Sequence, residues 1–288
     1  MPQACRSAAP KPSGCAFFAS IFPVAVRTIF SMAEDCARDQ RQGWYEFVRD
    51  YGAIARTLLT HFFPTLTPEI DNHVAAVFAR ARADGSAWFS SIKFSNEREF
   101  LVAFRNLVFA YGREQERVPA PQISLEQLAE IMKDLPVVER EMLWLFIKGY
   151  DAPQIGRIVS NLESTAVAVK KVADERLRAV IPGSAPDAFA LSARVLMVEA
   201  EKKKSEKCLP LKTFNDMING QLSWRERDLT EEHIKDCFYC LDRYTSFCEG
   251  IRLRKDAQTL AEPEIEALLE KMGAPRKQSK GLLAKLFS

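Results

Sequence analysis

From Trp44 onward, apolar residues recur every three or four positions and no alternating stretch of any length interrupts them, which confines this chain to packed amphipathic helices. Phe47, Tyr51, Ile54, Leu58 and Leu59 form one stripe; Val74, Val77 and Phe78 form a second; Phe100, Leu101, Phe104, Leu107 and Val108 form a third. Pro64 and Pro68 separate the first stripe from the second, and Asp84, Gly85 and Ser86 close the second. The expected fold class is all-α. With 47% hydrophobic residues over 288 positions, the chain has apolar material for two or three compact domains.

A second helical group follows a polar stretch that contains Pro119 and Pro121. Ser124 with Gln127 predicts a capping-box start, and Pro136 suits the first turn of a helix running to about Lys148, where Gly149 stops it. Asp151 with Gln154 predicts another capped start for a short helix. Ser160 and Asn161 make a tight turn before a longer helix over 164–180, and Pro182, Gly183 and Pro186 end the unit. Short helix, tight turn and longer helix together form a helix-turn-helix pattern. In its second helix Val169, Val172, Ala173, Leu177 and Val180 read as the inward stripe. Lys170, Lys171, Arg176 and Arg178 are then free to face outward, where they could meet phosphates or simply be solvated, and Asp174 and Glu175 oppose them. Global charge does not decide the matter: 40 basic against 38 acidic side chains give +2.

Seven cysteines in so long a chain do not make a disulfide scaffold, and three of them, Cys237, Cys240 and Cys248, crowd into one stretch beside His233. On a helix, residues three and four apart share a face, so His233, Cys237 and Cys240 can converge on one ion. A closed tetrahedral zinc site needs a fourth nitrogen or sulfur ligand; Cys208 is the first candidate and Cys248 the reserve. Packed free cysteines are the plain alternative. A thioredoxin-like Cys-x-x-Cys would need a βαβ setting that is missing here, and no phosphate loop, nucleophile elbow or metalloprotease His-Glu pair occurs, so no enzyme activity is expected.

Two resemblances give these patterns a common sense. Leu135, Pro136, Arg140, Leu143, Gly149, Tyr150, Ile155, Leu177 and Arg178 stand where region 4 of the extracytoplasmic-function sigma factors of RNA polymerase has its pattern. Ile70 to Arg80 and Phe100 to Arg113 resemble region 2, with Arg105 and Asn106 matching its Arg-Asn pair. The stretch over 44–181 is therefore identified as resembling that family. Several positions depart from it: the turn has an extra residue, Asn161 stands at the usual glycine, Gly156 at the usual alanine and Ala166 near a threonine. Asn tolerates the left-handed conformation that such a turn glycine adopts. Beyond it, Cys208, His233, Cys237 and Cys240, with Asn219, Gly220, Gln221, Leu222, Glu231 and Glu232, resemble the zinc-containing anti-sigma domain.

The resemblance implies two helical sigma-type domains and a small helical zinc-binding domain: an extension over 1–31 expected to be disordered, a region 2-like domain over 32–115, a linker over 116–123, a region 4-like domain over 124–182, a linker helix over 183–207, the zinc domain over 208–262 and a tail over 263–288. It gives promoter DNA contacts to Arg105, Asn106, Arg113, Thr165, Lys170, Lys171 and Arg178, and a zinc ion to Cys208, His233, Cys237 and Cys240. It implies RNA polymerase core and promoter DNA as partners, with an intramolecular sigma/anti-sigma contact. The function expected is transcription initiation regulated in cis; the alternative is a non-initiating protein that binds another sigma factor or regulator. Thiolate ligands are oxidisable, so zinc loss with disulfide formation is an available switch.

At the ends, the apolar run over 15–26 mimics a secretion signal, but Pro23 interrupts it and no small-residue cleavage site follows. No later run is long enough to span a membrane, and a cytoplasmic protein is expected. Arg276, Lys277, Lys280 and Lys285 beside Leu282, Leu283, Leu286 and Phe287 read as a frayed terminal helix, with a membrane surface or a partner groove as alternatives.

Overall fold

A computed structural model of the chain describes residues 28–116, 122–184 and 188–276, the side chain of residue 190 excepted. Among the described residues the structure is all-helical, with thirteen α-helices and one short 3-10 turn. The first body holds α1 (Ile29–Ala37), α2 (Arg41–Phe62), α3 (Ile70–Ser91) and α4 (Glu97–Gln115). Its core is aromatic: Trp44, Phe47 and Tyr51 of α2 meet Phe78, Phe89, Phe100 and Phe104, with ring centroids mostly 5 to 6 Å apart in edge-to-face or tilted pairs, the geometry that ring quadrupoles favour. α1 begins within the stretch expected to be a disordered extension, because Thr28 and Ser31 form a capping box that satisfies its first amides. The rest of that extension, with the secretion-like run, lies outside the described residues, as do most of the first linker and the basic tail from residue 277. Ala83 leaves the helical region with ψ 157°, and Asp84, Gly85 and Ser86 take left-handed φ values of 53°, 67° and 64°, so this stretch closes the first helical segment of α3 as expected, and a second segment follows it to Ser91.

The second body holds α5 (Leu125–Met132), α6 (Val137–Ile147), α7 (Ala152–Ile158) and α8 (Glu163–Val180). Both predicted capping boxes form, Ser124 with Gln127 and Asp151 with Gln154. The left-handed residue of the α7–α8 turn is Ser160, φ 54°, rather than Asn161, whose side chain instead accepts from the Leu162 amide at 2.7 Å. Gly156 is required by this turn: a Cβ there would lie 2.9 Å from the Asn161 carbonyl oxygen, so an alanine would push α7 away from the turn. On α8, Val169, Ala173 and Leu177 are buried as expected, joined by Ala166, whereas Val172 is 39% exposed. Arg176 also departs from expectation. It turns back and donates to the Ile131 carbonyl at 3.0 Å, pinning α8 to α5 rather than facing outward.

α9 (Ala188–Lys202) leads to α10 (Leu211–Ile218), α11 (Trp224–Asp236) and α12 (Phe238–Asp256). α12 is the hub. It packs on α4 of the first body and on α6, α7 and α9, so one helix holds the two bodies together. Within the residues expected to be tail, α13 (Glu262–Lys271) returns to α2 and α3 and buries Ile265, Leu268 and Leu269. Gly52 admits this return, since any Cβ there would meet Leu260 Cδ1 at 2.4 Å. No helix among the described residues is long and apolar enough to cross a membrane.

Candidate metal centre and the helix it anchors

Cys208 lies in the loop before α10, His233 in the last turn of α11, Cys237 between α11 and α12, and Cys240 in the first turn of α12. The three downstream ligands do not share one continuous helix face, as their spacing alone suggests. Cys237 breaks the helix with extended dihedrals, φ −120° and ψ 105°, while its amide still caps His233 at 3.0 Å and its carbonyl starts α12 by accepting from Leu241 at 2.9 Å. This corner, rather than helical periodicity, turns the three side chains inward.

One ligand atom from each of Cys208, His233, Cys237 and Cys240 lies within 4.8 Å of all the others. Cys208 Sγ and Cys237 Sγ are 3.9 Å apart, and His233 Nε2 is 3.2 Å from Cys240 Sγ. Sulfur ligands about 2.3 Å from one tetrahedral ion lie roughly 3.8 Å apart, so the cluster has the size a metal needs. The Ser205 amide donates to Cys208 Sγ at 3.3 Å and the Leu209 amide to Cys240 Sγ at 3.4 Å, which is how backbone donors stabilise metal-bound thiolates. A hydrogen bond with Cys240 draws the Cys237 thiol down to about 5, while the same contact and burial push Cys240 up. The four residues could therefore hold a metal ion. Cys248, the reserve ligand, is not part of the group; burial holds its thiol up at about 12, the behaviour of a packed cysteine.

The rest of α12 carries a second constellation, which no sequence motif marks. Asp242, Thr245, Ser246 and Glu249 form a polar stripe at i, i+3, i+4 and i+7; the last three are buried, and Asp242 sits at the rim. Lys148, at the end of α6, enters this stripe fully buried: its Nζ is 3.1 Å from Asp242 Oδ1, 3.4 Å from Glu249 Oε2 and 3.0 Å from both the Thr245 and Ser246 hydroxyls. From the other side Arg105 of α4 brings Nε to 3.3 Å from Glu249 Oε2. Tyr150 donates to Glu249 Oε1 at 2.6 Å and Trp144 donates to Asp242 at 2.9 Å. Burial opposes the charge on both carboxylates, but Arg105 and Lys148 overcome it and hold Glu249 and Asp242 below the ordinary carboxylate range. Two cations from two different bodies thus share two anions on one helix, which makes α12 an electrostatic clamp as well as an apolar one. The one clue in the sequence is the stripe itself, polar residues at helical spacing within a helix that also carries Tyr239, Leu241 and Phe247 to the core.

The residues to which the resemblance gives DNA contacts fall into separate places. Arg105 is 5% exposed and occupied within the clamp, its guanidinium 4.2 Å from the centre of the Phe109 ring. Asn106, the next residue of α4, is exposed, and Arg113, near the end of that helix, approaches Glu201 at 3.4 Å. On α8, Lys171 and Arg178 are exposed, Thr165 is half-buried, and Lys170 is paired with Asp174 at 2.6 Å. The two groups belong to different bodies and do not form one face around a common ligand. Compared with known proteins, the chain matches no family model, no curated protein and no solved structure.

Proposed function

We propose that this chain is a non-catalytic transcription protein of the sigma type: its two helical bodies engage RNA polymerase core and promoter DNA, and its own zinc domain holds them closed. One observation carries the reading. α12, anchored at its start by the Cys208, His233, Cys237 and Cys240 cluster, binds Arg105 of the first body and Lys148 of the second through Asp242 and Glu249. Arg105 belongs to the pair to which the resemblance gives promoter DNA contacts, so a protein in this arrangement keeps that side chain away from DNA. Zinc is the ion the donor set suits, since a closed set of three thiolates and one imidazole is a structural zinc environment.

Tethering supports regulation in cis. A domain joined by a short linker acts at an effective concentration on the order of millimolar, so modest contacts keep it docked. Opening then requires the clamp to separate, which exposes Arg105 and frees α4.

The test is promoter-directed transcription by reconstituted core polymerase, with the full chain and with an Asp242→Asn, Glu249→Gln form whose clamp is weakened. Initiation by the weakened form, above that of the full chain, is the expected result. If neither form directs initiation, the sigma reading is lost and the alternative takes its place: a non-initiating protein that binds another sigma factor or regulator. The pairing of Lys170 with Asp174 favours that second reading, because it neutralises part of the outward face of α8.

A further inference from the structure

Between α3, α4, α9 and α12 lies an open cavity of about 460 Å³. Pockets that hold small ligands run roughly 300–1,000 Å³, so a mononucleotide fits by volume. The lining is unusual in charge: five arginines, Arg80, Arg105, Arg113, Arg194 and Arg243, against the carboxylates of Glu201 and Asp242. Some of this charge is already satisfied. Arg80 is paired with Glu114 at 2.6 Å, Arg194 with Glu116, and Arg105 belongs to the clamp. The remainder is held less firmly. Arg243 has no ion-pair partner among the described residues and rests 5.4 Å from the centre of the Tyr239 ring. Arg113 reaches Glu201 only at 3.4 Å with both side chains substantially exposed, a contact that solvent screens and another anion can replace. The amide of Asn106 is exposed and has no protein partner among the described residues. Trp88, Ile92 and Met197 add apolar lining, the Trp88 indole being packed on Phe47, Phe89 and Phe100.

A lining that combines arginines with an indole is the chemistry of a molecule with several phosphates and a flat ring. Guanidinium groups bind phosphate oxygens in paired hydrogen bonds, and an indole stacks on a base. We propose that this cavity binds a nucleotide carrying two or more phosphates, with Arg113, Arg243 and Asn106 on the phosphates and Trp88 against the base. The walls come from separate stretches of chain, so the site is complete only while α12 is docked on α4 and α9. A ligand that needs all of them stabilises that docked state by mass action and so opposes release of the clamp. The cavity is a property of the packing, and nucleotide binding there stands whether or not the chain recognises promoters.

Isothermal titration of the full chain with adenosine triphosphate and with inorganic pyrophosphate tests it, in buffer free of other phosphate. Saturable binding of both is expected, tighter for the nucleotide, together with a rise in the thermal midpoint. Arg243→Ala and Arg113→Ala should each weaken the nucleotide about tenfold. Arg178→Ala, on α8 away from the cavity, should leave binding unchanged, and all three variants should keep the midpoint of the ligand-free protein. Sulfate at equal ionic strength should not compete. The proposal is overturned by absence of binding, by equal weakening in Arg178→Ala, by competition from sulfate, or by binding of a single-stranded oligonucleotide but not the nucleotide at the Arg113 and Arg243 surface. If one of the two cavity variants misfolds, the other supplies the same comparison.

Discussion

α8 and α12 are both long helices rich in charge, and they place that charge in opposite environments. α8 leaves Lys170, Lys171, Glu175 and Arg178 in solvent, where its one intrahelical pair, Lys170 with Asp174, contributes about 0.3–0.5 kcal/mol. α12 turns Glu249 inward, and Asp242 to the rim, against Lys148 and Arg105, where the buried Glu249, Lys148 and Arg105 depend on one another because water cannot replace them. The lesson is that the number of charges on a helix says little about its role. What faces it decides whether those charges are exchangeable contacts or structural ones.

The largest expected effect tests the anchoring of α12. A His233→Ala, Cys240→Ala double variant should lose bound zinc and unfold α10 to α12, since structural zinc contributes on the order of 10 kcal/mol to small zinc domains. Zinc stoichiometry with far-ultraviolet circular dichroism checks this. Retention of one zinc per chain by the double variant would break the assignment.

Next comes the clamp itself. Glu249→Ala leaves Lys148 and Arg105 buried without their shared carboxylate, and should cost roughly 3–5 kcal/mol in denaturant unfolding. A Glu249→Leu, Lys148→Met pair, which removes charge from both sides, should recover much of that loss. The exposed Lys171→Ala on α8 should cost less than about 0.5 kcal/mol, and a comparable loss there would erase the contrast between the helices.

A smaller and pH-dependent effect comes from Glu141, a buried carboxylate of α6. Burial, then the nearby Glu231, push it up to about 8 from an ordinary value of 4.5. Because its value in the folded protein lies above that in the unfolded chain, its proton stabilises the fold fully below pH 4.5, and this contribution is lost as pH rises through 8. Glu141→Gln should therefore be more stable than the parent at pH 8, by roughly 1–3 kcal/mol, with the difference shrinking towards pH 5. Urea midpoints at the two pH values measure it. A parent protein with no such slope would remove Glu141 from the account.

Much of the fold is legible in the residues alone. Helices over 125–132 and 152–158 follow from Ser124 and Asp151, because capping is a local contest between side chain and solvent for the first free amides, and the helix over 137–147 starts directly after Pro136, whose side chain makes no cap hydrogen bond but whose ring fixes the entering backbone. The four residues of the candidate metal site are legible for a similar reason: thiols and imidazole are scarce, and their spacing limits how they can meet. Arg176 is not, since an outward position on a helical wheel says nothing about a carbonyl on a neighbouring helix within reach of a long side chain. Val172 fails for the same reason in reverse: its place on the stripe implies a neighbour that the fold does not supply.

The helical class, the caps and the candidate ligand set were thus determined by the sequence alone, because each rests on residues close in the chain or on side chains with few alternative uses. The corner at Cys237 that makes the ligands converge, the return of α13 to α2 and α3, and the meeting of Arg105 and Lys148 on α12 were decided only by the tertiary structure. Each depends on groups apart in sequence, 144 residues for Arg105 and Glu249 and 225 for Arg41 of α2 and Glu266 of α13, and a charge carries no mark of its partner until burial removes the water that would otherwise take the partner's place.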